Sequence, residues 1–167
     1  MAIVFEGRVF SVDVETVRLP NGREHRLEIV RHRPSVVLLP MRDDGHVILV
    51  RQYRPAVYRD LWELPAGSTN AGESAEAAAA RECEEEIVLV PGRIERLRSV
   101  FPAPGFCDEE LIYFRLSDLR PPSPDSPHKP DEDEEIHAQA FRIAEAKAMA
   151  ARGDIVDLKT AYGLTLM

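Results

Sequence analysis

An α/β/α sandwich on a mixed β-sheet, preceded by a β-hairpin, is the fold this sequence predicts. Three observations point there. Most of the chain divides into short apolar or alternating segments separated by turn signals, the pattern of strands. One alanine-rich stretch, residues 74–87, carries apolar residues every fourth position, as an amphipathic helix does. A second helical stretch, residues 144–152, is closed by Gly153.

The elements follow in order. From Gly7 to Val17, Val9, Ser11, Asp13 and Glu15 alternate with Phe10, Val12, Val14 and Thr16. Pro20-Asn21-Gly22 signals a turn, and His25 to Val30 reads as the returning strand. Such a hairpin is unstable alone and must pack on the core or on another chain. Residues 1–33 are therefore expected to form an N-terminal β-hairpin, and residues 34–167 the main domain. Ser35 to Pro40 is a buried strand, Asp43-Asp44-Gly45 a hairpin turn, and His46 to Tyr53 the next strand, with Arg54 just past its end. Leu61 to Pro65 leads into a loop. Ser74 then suits the N-cap of a helix whose core stripe is Ala75, Ala79, Cys83 and Ile87. Val88 follows that helix, and a β-branched residue is strained at φ > 0. Either the helix end is reshaped, with Pro91-Gly92 making the turn, or Val88 keeps ordinary angles; an altered helix end is expected, with the carboxylates upstream undisturbed. Arg93–Phe101 and Leu111–Leu116 read as strands flanking a loop, Pro102–Asp108. Five prolines between residues 120 and 130 exclude helix and central strand. An acidic run, 131–135, precedes a last strand, Ile136–Ile143, and the final helix.

Bulk properties narrow the function. A chain of 167 residues, 44% apolar and 30% charged, suits one soluble domain. Its net charge of −8 argues against nonspecific nucleic-acid or anionic-membrane partners. Two cysteines, Cys83 and Cys107, make neither a disulfide framework nor a zinc-ligand spacing. The first residues show no signal-peptide pattern, and no segment approaches a membrane span, so a cytoplasmic protein is expected.

The chemistry is concentrated between Gly67 and Leu89. Five residues separate Gly67 from Glu73, and seven more separate Glu73 from Arg81-Glu82-Cys83-Glu84-Glu85-Glu86. On a helix, Glu82 and Glu86 share a face with Glu85 beside them. Hard divalent cations take carboxylate oxygens, waters and substrate phosphates. Such a cluster beside a glycine-containing loop can bring metal and diphosphate together; the bland alternative is a solvated acidic helix.

This stretch resembles the signature box of the Nudix hydrolases. Gly67, Glu73, Arg81, Glu82, Cys83, Glu85, Glu86 and Leu89 fit that box; Val88 departs from it, where the family has Gly. Leu61-Trp62-Glu63-Leu64-Pro65-Ala66-Gly67 and Phe101–Glu109 look like flanking motifs of its ADP-ribose pyrophosphatase group, which GDP-mannose pyrophosphatases share. The resemblance implies Mg²⁺, with Mn²⁺ as a substitute, bound by Glu82, Glu86, Glu85 and the Ala66 carbonyl. It implies Glu132 and Glu134 on the acidic loop as general base and further metal ligand. Arg54, Phe10, Phe106 and Glu109 would contact substrate, while Gly67, Glu73 and Arg81 would hold the site's shape. Leu27, where relatives often have Arg, implies different contacts to the terminal sugar. The implied reaction is hydrolysis of the diphosphate of a nucleoside diphosphosugar, ADP-ribose first, with GDP-mannose or another sugar nucleotide as the alternative. A non-catalytic ligand-sensing module is the other alternative. A C₂ homodimer, with the hairpin reaching the second subunit's site, is implied as well.

Overall fold

The computed structural model describes residues 2–129 and 136–167. Ten strands and three α-helices are seen among them. β1 (Ala2–Glu6), β2 (Phe10–Arg18) and β3 (Glu24–His32) form an antiparallel sheet in that order. The expected hairpin is thus a three-stranded sheet. β1 escaped the sequence reading because four apolar residues closed by Glu6 carry no alternation of their own.

The body of the molecule is built around β4 (Ser35–Pro40), every residue of which is buried. It pairs antiparallel with β7 (Ala66–Ser68) and parallel with β9 (Leu111–Arg120), and β9 pairs antiparallel with β8 (Val90–Val100). This is the expected mixed sheet. A second sheet runs β10 (Ile136–Arg142), β5 (His46–Arg54), β6 (Arg59–Glu63). Alternation along β4 and β5 sends side chains to opposite faces. Val37, Leu39, Val47 and Leu49 pack with Ala146 and Met149 of α2 (Ile143–Arg152) and with Leu164 beyond α3 (Leu158–Gly163). Val36, Leu38, Ile48 and Val50 pack with Ala78, Ala79, Cys83 and Ile87 of α1 (Ala75–Ile87). Helices therefore cover both sides of the strands, which makes the α/β/α sandwich.

Local chemistry explains the helix boundaries. The Ser74 hydroxyl accepts from Ala77 N at 3.1 Å and caps α1, as its position predicts. Gly153 closes α2 at φ 87°. The expectation for Val88 is overturned. It adopts the left-handed conformation itself (φ 55°, ψ 41°), and its N–H reaches the carbonyls of Glu84 and Cys83. Pro91-Gly92 lies inside β8 and is no turn. The end of α1 thus keeps the glycine-type shape, at a steric cost of about 1–2 kcal/mol for an L-residue. Arg54 is the last residue of β5, not the residue past it, and β6, β7 and α3 are additions to the expected elements. No described helix is long and apolar enough to cross a membrane.

Candidate active site

The loop before α1 and the face of that helix form one side of a cavity of about 410 Å³. Ala66, Gly67 and Ser68 come from β7; Arg81, Glu82, Glu85 and Glu86 come from α1; Gln52 and Arg54 come from β5. β7 is held against β4, so the loop approaches the helix closely. A Cβ built on Gly67 would lie 2.0 Å from Oε1 of Glu82. The glycine is required by this contact, since its φ is not in the left-handed region. Without it the Glu82 carboxylate has no room.

Arg81 organises the acids. Its Nε and Nη2 donate to Glu73 at 2.9 and 3.0 Å. Its Nη1 donates to Glu82 at 2.6 Å and Glu85 at 2.7 Å, and Nη2 also reaches the Ser68 carbonyl at 3.0 Å. The hydrogen bond to Glu73, the largest cause, raises the guanidinium's pKa far above its ordinary value. The same bond holds the Glu73 carboxyl below its usual range. Glu73 also accepts from Asn70 N at 2.8 Å, which ties the loop to the helix. Glu86 accepts from Ala66 N at 3.2 Å. The His128 ring comes within 3.7 Å of Glu85 and was missed in the sequence, where it sits among prolines with no periodic signal.

Glu73, Glu82 and Glu85 bond a single guanidinium, and Glu86 lines the same cavity, so the carboxylates outnumber that cation. The donors are hard oxygens, and the space for Glu82 exists only because residue 67 lacks a side chain. Among the described residues no three His, Cys, Asp or Glu side chains already converge as a finished metal cage. The excess negative charge and the donor type fit a hard divalent cation that shares these carboxylates with waters and phosphate oxygens. Cys83 takes no part as a nucleophile: burial, the largest cause, pushes its thiol up to about 12.

Arg54 lines the same cavity from β5. Its Nε and Nη2 each donate to Glu63 at 2.7 Å, a bidentate pair. Glu63 is 1% exposed and also receives Lys159 Nζ. The sequence assigns no site role to Glu63, beyond its place in the flanking motif, or to Lys159. The one hint was an acid set between apolar neighbours in Leu61–Leu64, and its cationic partner lies 96 positions away.

The remaining expected site residues scatter. Glu109 lines a neighbouring cavity of about 250 Å³, with Arg54, His32 and Ser35, and accepts from the Ser35 hydroxyl at 2.8 Å. Within one chain Phe10 does not line the main cavity; it is 42% exposed and packs against Phe5, while Val9 beside it does line the cavity. Phe106 is exposed on its loop, where its carbonyl accepts from Val30 N at 2.8 Å. Glu132 and Glu134 lie outside the described residues.

Comparison with known proteins follows the same lines. The NUDIX domain matches residues 31–159. An ADP-ribose pyrophosphatase of Bacillus subtilis (strain 168) is 33% identical over 161 residues, covering 96% of this chain and 86% of that one. An ADP-ribose pyrophosphatase of Mycobacterium tuberculosis (strain ATCC 25618 / H37Rv) is 36% identical over 152 residues, covering 90% and 72%. A solved structure described as an ADP compounds hydrolase superposes with a TM-score of 0.83 at 24% identity, over 99% of this chain and 88% of that one.

Proposed function

The chain belongs to the Nudix family, and on that premise we propose that it is a Mg²⁺-dependent hydrolase of nucleoside diphosphosugars, cleaving ADP-ribose to AMP and ribose 5-phosphate. The observation that carries the reading is the convergence of Glu82, Glu85, Glu86, Ala66 and Arg54 on one cavity. The two ADP-ribose pyrophosphatase relatives support the choice of substrate. Glu82, Glu85, Glu86 and the Ala66 carbonyl would hold the ion, with Mn²⁺ as a substitute. A divalent ion bound there neutralises diphosphate charge and acidifies a water.

The chain's own residues do the rest. Arg54 meets a phosphate oxygen in the cavity it shares with the carboxylates. Arg81 keeps Glu82 and Glu85 in register, and Glu73 keeps Arg81 in place. Glu132 is assigned as the base that takes the proton of the attacking water, and Glu134 as a further metal ligand. In-line attack at phosphorus needs little beyond such positioning and charge.

Residues 1–33 act as an assembly segment in this reading. Ile3, Val4, Phe5 and Phe10 are each 42% exposed or more within the single chain. A second copy covers them, in a homodimer whose N-terminal sheets complete each other's substrate sites with Phe10. The protein works in the cytoplasm, where its substrates are made. A panel of sugar nucleotides assayed with Mg²⁺ tests the activity. ADP-ribose is expected to give the highest kcat/KM, ahead of GDP-mannose. No turnover of any member with Mg²⁺ or Mn²⁺ would sink the hydrolase reading.

A further inference from the structure

Glu63 is the most deeply buried carboxylate of the described chain, at 1% exposure, and it bonds two cations. Arg54 gives it Nε and Nη2. Among the described residues Nη1 of Arg54 donates to nothing, and the side chain is 40% exposed. The guanidinium is thus held by one edge while the other edge is left for the cavity. Lys159 is fixed in turn: Nζ also bonds Asp157 at 2.9 Å. Asp157 caps α3 by accepting from Thr160 N at 3.0 Å and from its hydroxyl at 2.6 Å. The Thr160 hydroxyl accepts from Leu64 N at 2.7 Å, which closes the circuit beside Glu63.

We propose that Glu63 is a positioning residue that aims the free edge of Arg54 at the substrate diphosphate, and that Lys159 is the counter-ion that makes this possible. The proposal rests on the reading of Arg54 as a diphosphate contact. A guanidinium that leans toward a phosphate weakens its hold on the carboxylate behind it. A buried carboxylate with no second cation would pull the guanidinium back, because an unpaired buried charge is costly. Lys159 removes that pull. Burial alone would raise the Glu63 pKa, yet the bonds from Arg54 and the charge of Lys159 outweigh it and keep the group below its ordinary value.

The test is calorimetric binding of ADP-ribose and of inorganic diphosphate to the full chain in chelator, without metal. Glu63→Gln is expected to weaken ADP-ribose by about 10-fold to 100-fold, the scale of a lost charge-assisted hydrogen bond. Arg54→Ala should lose at least as much, and the double variant no more than Arg54→Ala alone. Lys159→Met should show a smaller loss that Lys159→Arg restores. Additive losses, or wild-type affinity in a folded Glu63→Gln, overturn the proposal. If Glu63→Gln does not fold, the Arg54→Ala/Lys159→Met cycle decides, and additivity there overturns it equally. Wild-type protein that binds neither probe overturns the role as well. Wild-type protein that binds but shows no turnover with Mg²⁺ removes only the hydrolase reading.

Discussion

The box helix with its loop and the N-terminal sheet are opposite solutions to the same problem of charge and burial. At the box, charges are paired closely: one arginine bridges three carboxylates and a carbonyl, and Gly67 admits Glu82 at a distance no side chain would allow. In the sheet of β1–β3, the most buried side chain is an acid, Asp13, held by Arg31 at 3.0 Å, while Ile3, Val4, Phe5 and Phe10 face outward. Its ties to the body include a short run at the loop 103–109, where Val30 exchanges backbone hydrogen bonds with Phe106 and Asp108 and Arg31 reaches Asp108. A region of closely paired charges can be tested by single atoms. A region with uncovered apolar faces has to be tested by assembly.

The largest effect is expected at the box. Glu86→Gln keeps the shape and removes a charge, so kcat should fall by on the order of 10²–10⁴-fold. Circular dichroism and thermal unfolding should stay close to wild type. Retained kcat would end the metal assignment. Gly67→Ala comes next. The added methyl meets the flexible end of Glu82 and not backbone, so the carboxylate moves while the fold stands. A loss of about 10²-fold in kcat is expected, the upper range for disturbing a ligand's support. An unfolded Gly67→Ala would show that the loop, not the carboxylate, needs the glycine.

Deleting residues 1–33 tests the other region. Light scattering should show the full chain at twice its 18.8 kDa mass and the truncated one as a monomer with weakened ADP-ribose affinity. A full-length monomer at micromolar concentration removes the shared site. The smallest effect is expected from Val88→Gly. Relief of the left-handed valine should stabilise the chain by about 1 kcal/mol, less than the full steric cost because glycine gains unfolded-state entropy. An unchanged or lower melting temperature would show that Val88 carries no strain.

Legibility in the sequence followed the range of the forces involved. The box was readable because a helix and a tight loop convert fixed spacings into fixed geometry: Ser74 caps, Cys83 and Ile87 bury, and Arg81 lands among Glu73, Glu82 and Glu85. β4 was readable as a run of apolar residues. The end of α1 was misjudged because an intrinsic preference of valine was set against tertiary demands, and the helix end took the shape that places Leu89 against the α1-side core. β1 was missed because its strand character comes from pairing with β2. Glu63 and Lys159 were missed as a pair because nothing local marks two residues 96 positions apart as partners.

That separation has a consequence for a chain being made on the ribosome. Synthesis runs at about 5–20 residues per second, so Lys159 emerges roughly 5–20 s after Glu63. During that interval the nascent protein can form β5, β6 and the box helix. Glu63 then has one counter-ion instead of two, and Leu64 N lacks the hydroxyl it later bonds. A nascent chain of this kind owns its carboxylates before it owns the means of aiming Arg54. Competence therefore waits for the segment around Lys159, and a messenger truncated before codon 157 encodes the signature box without the second counter-ion of Glu63.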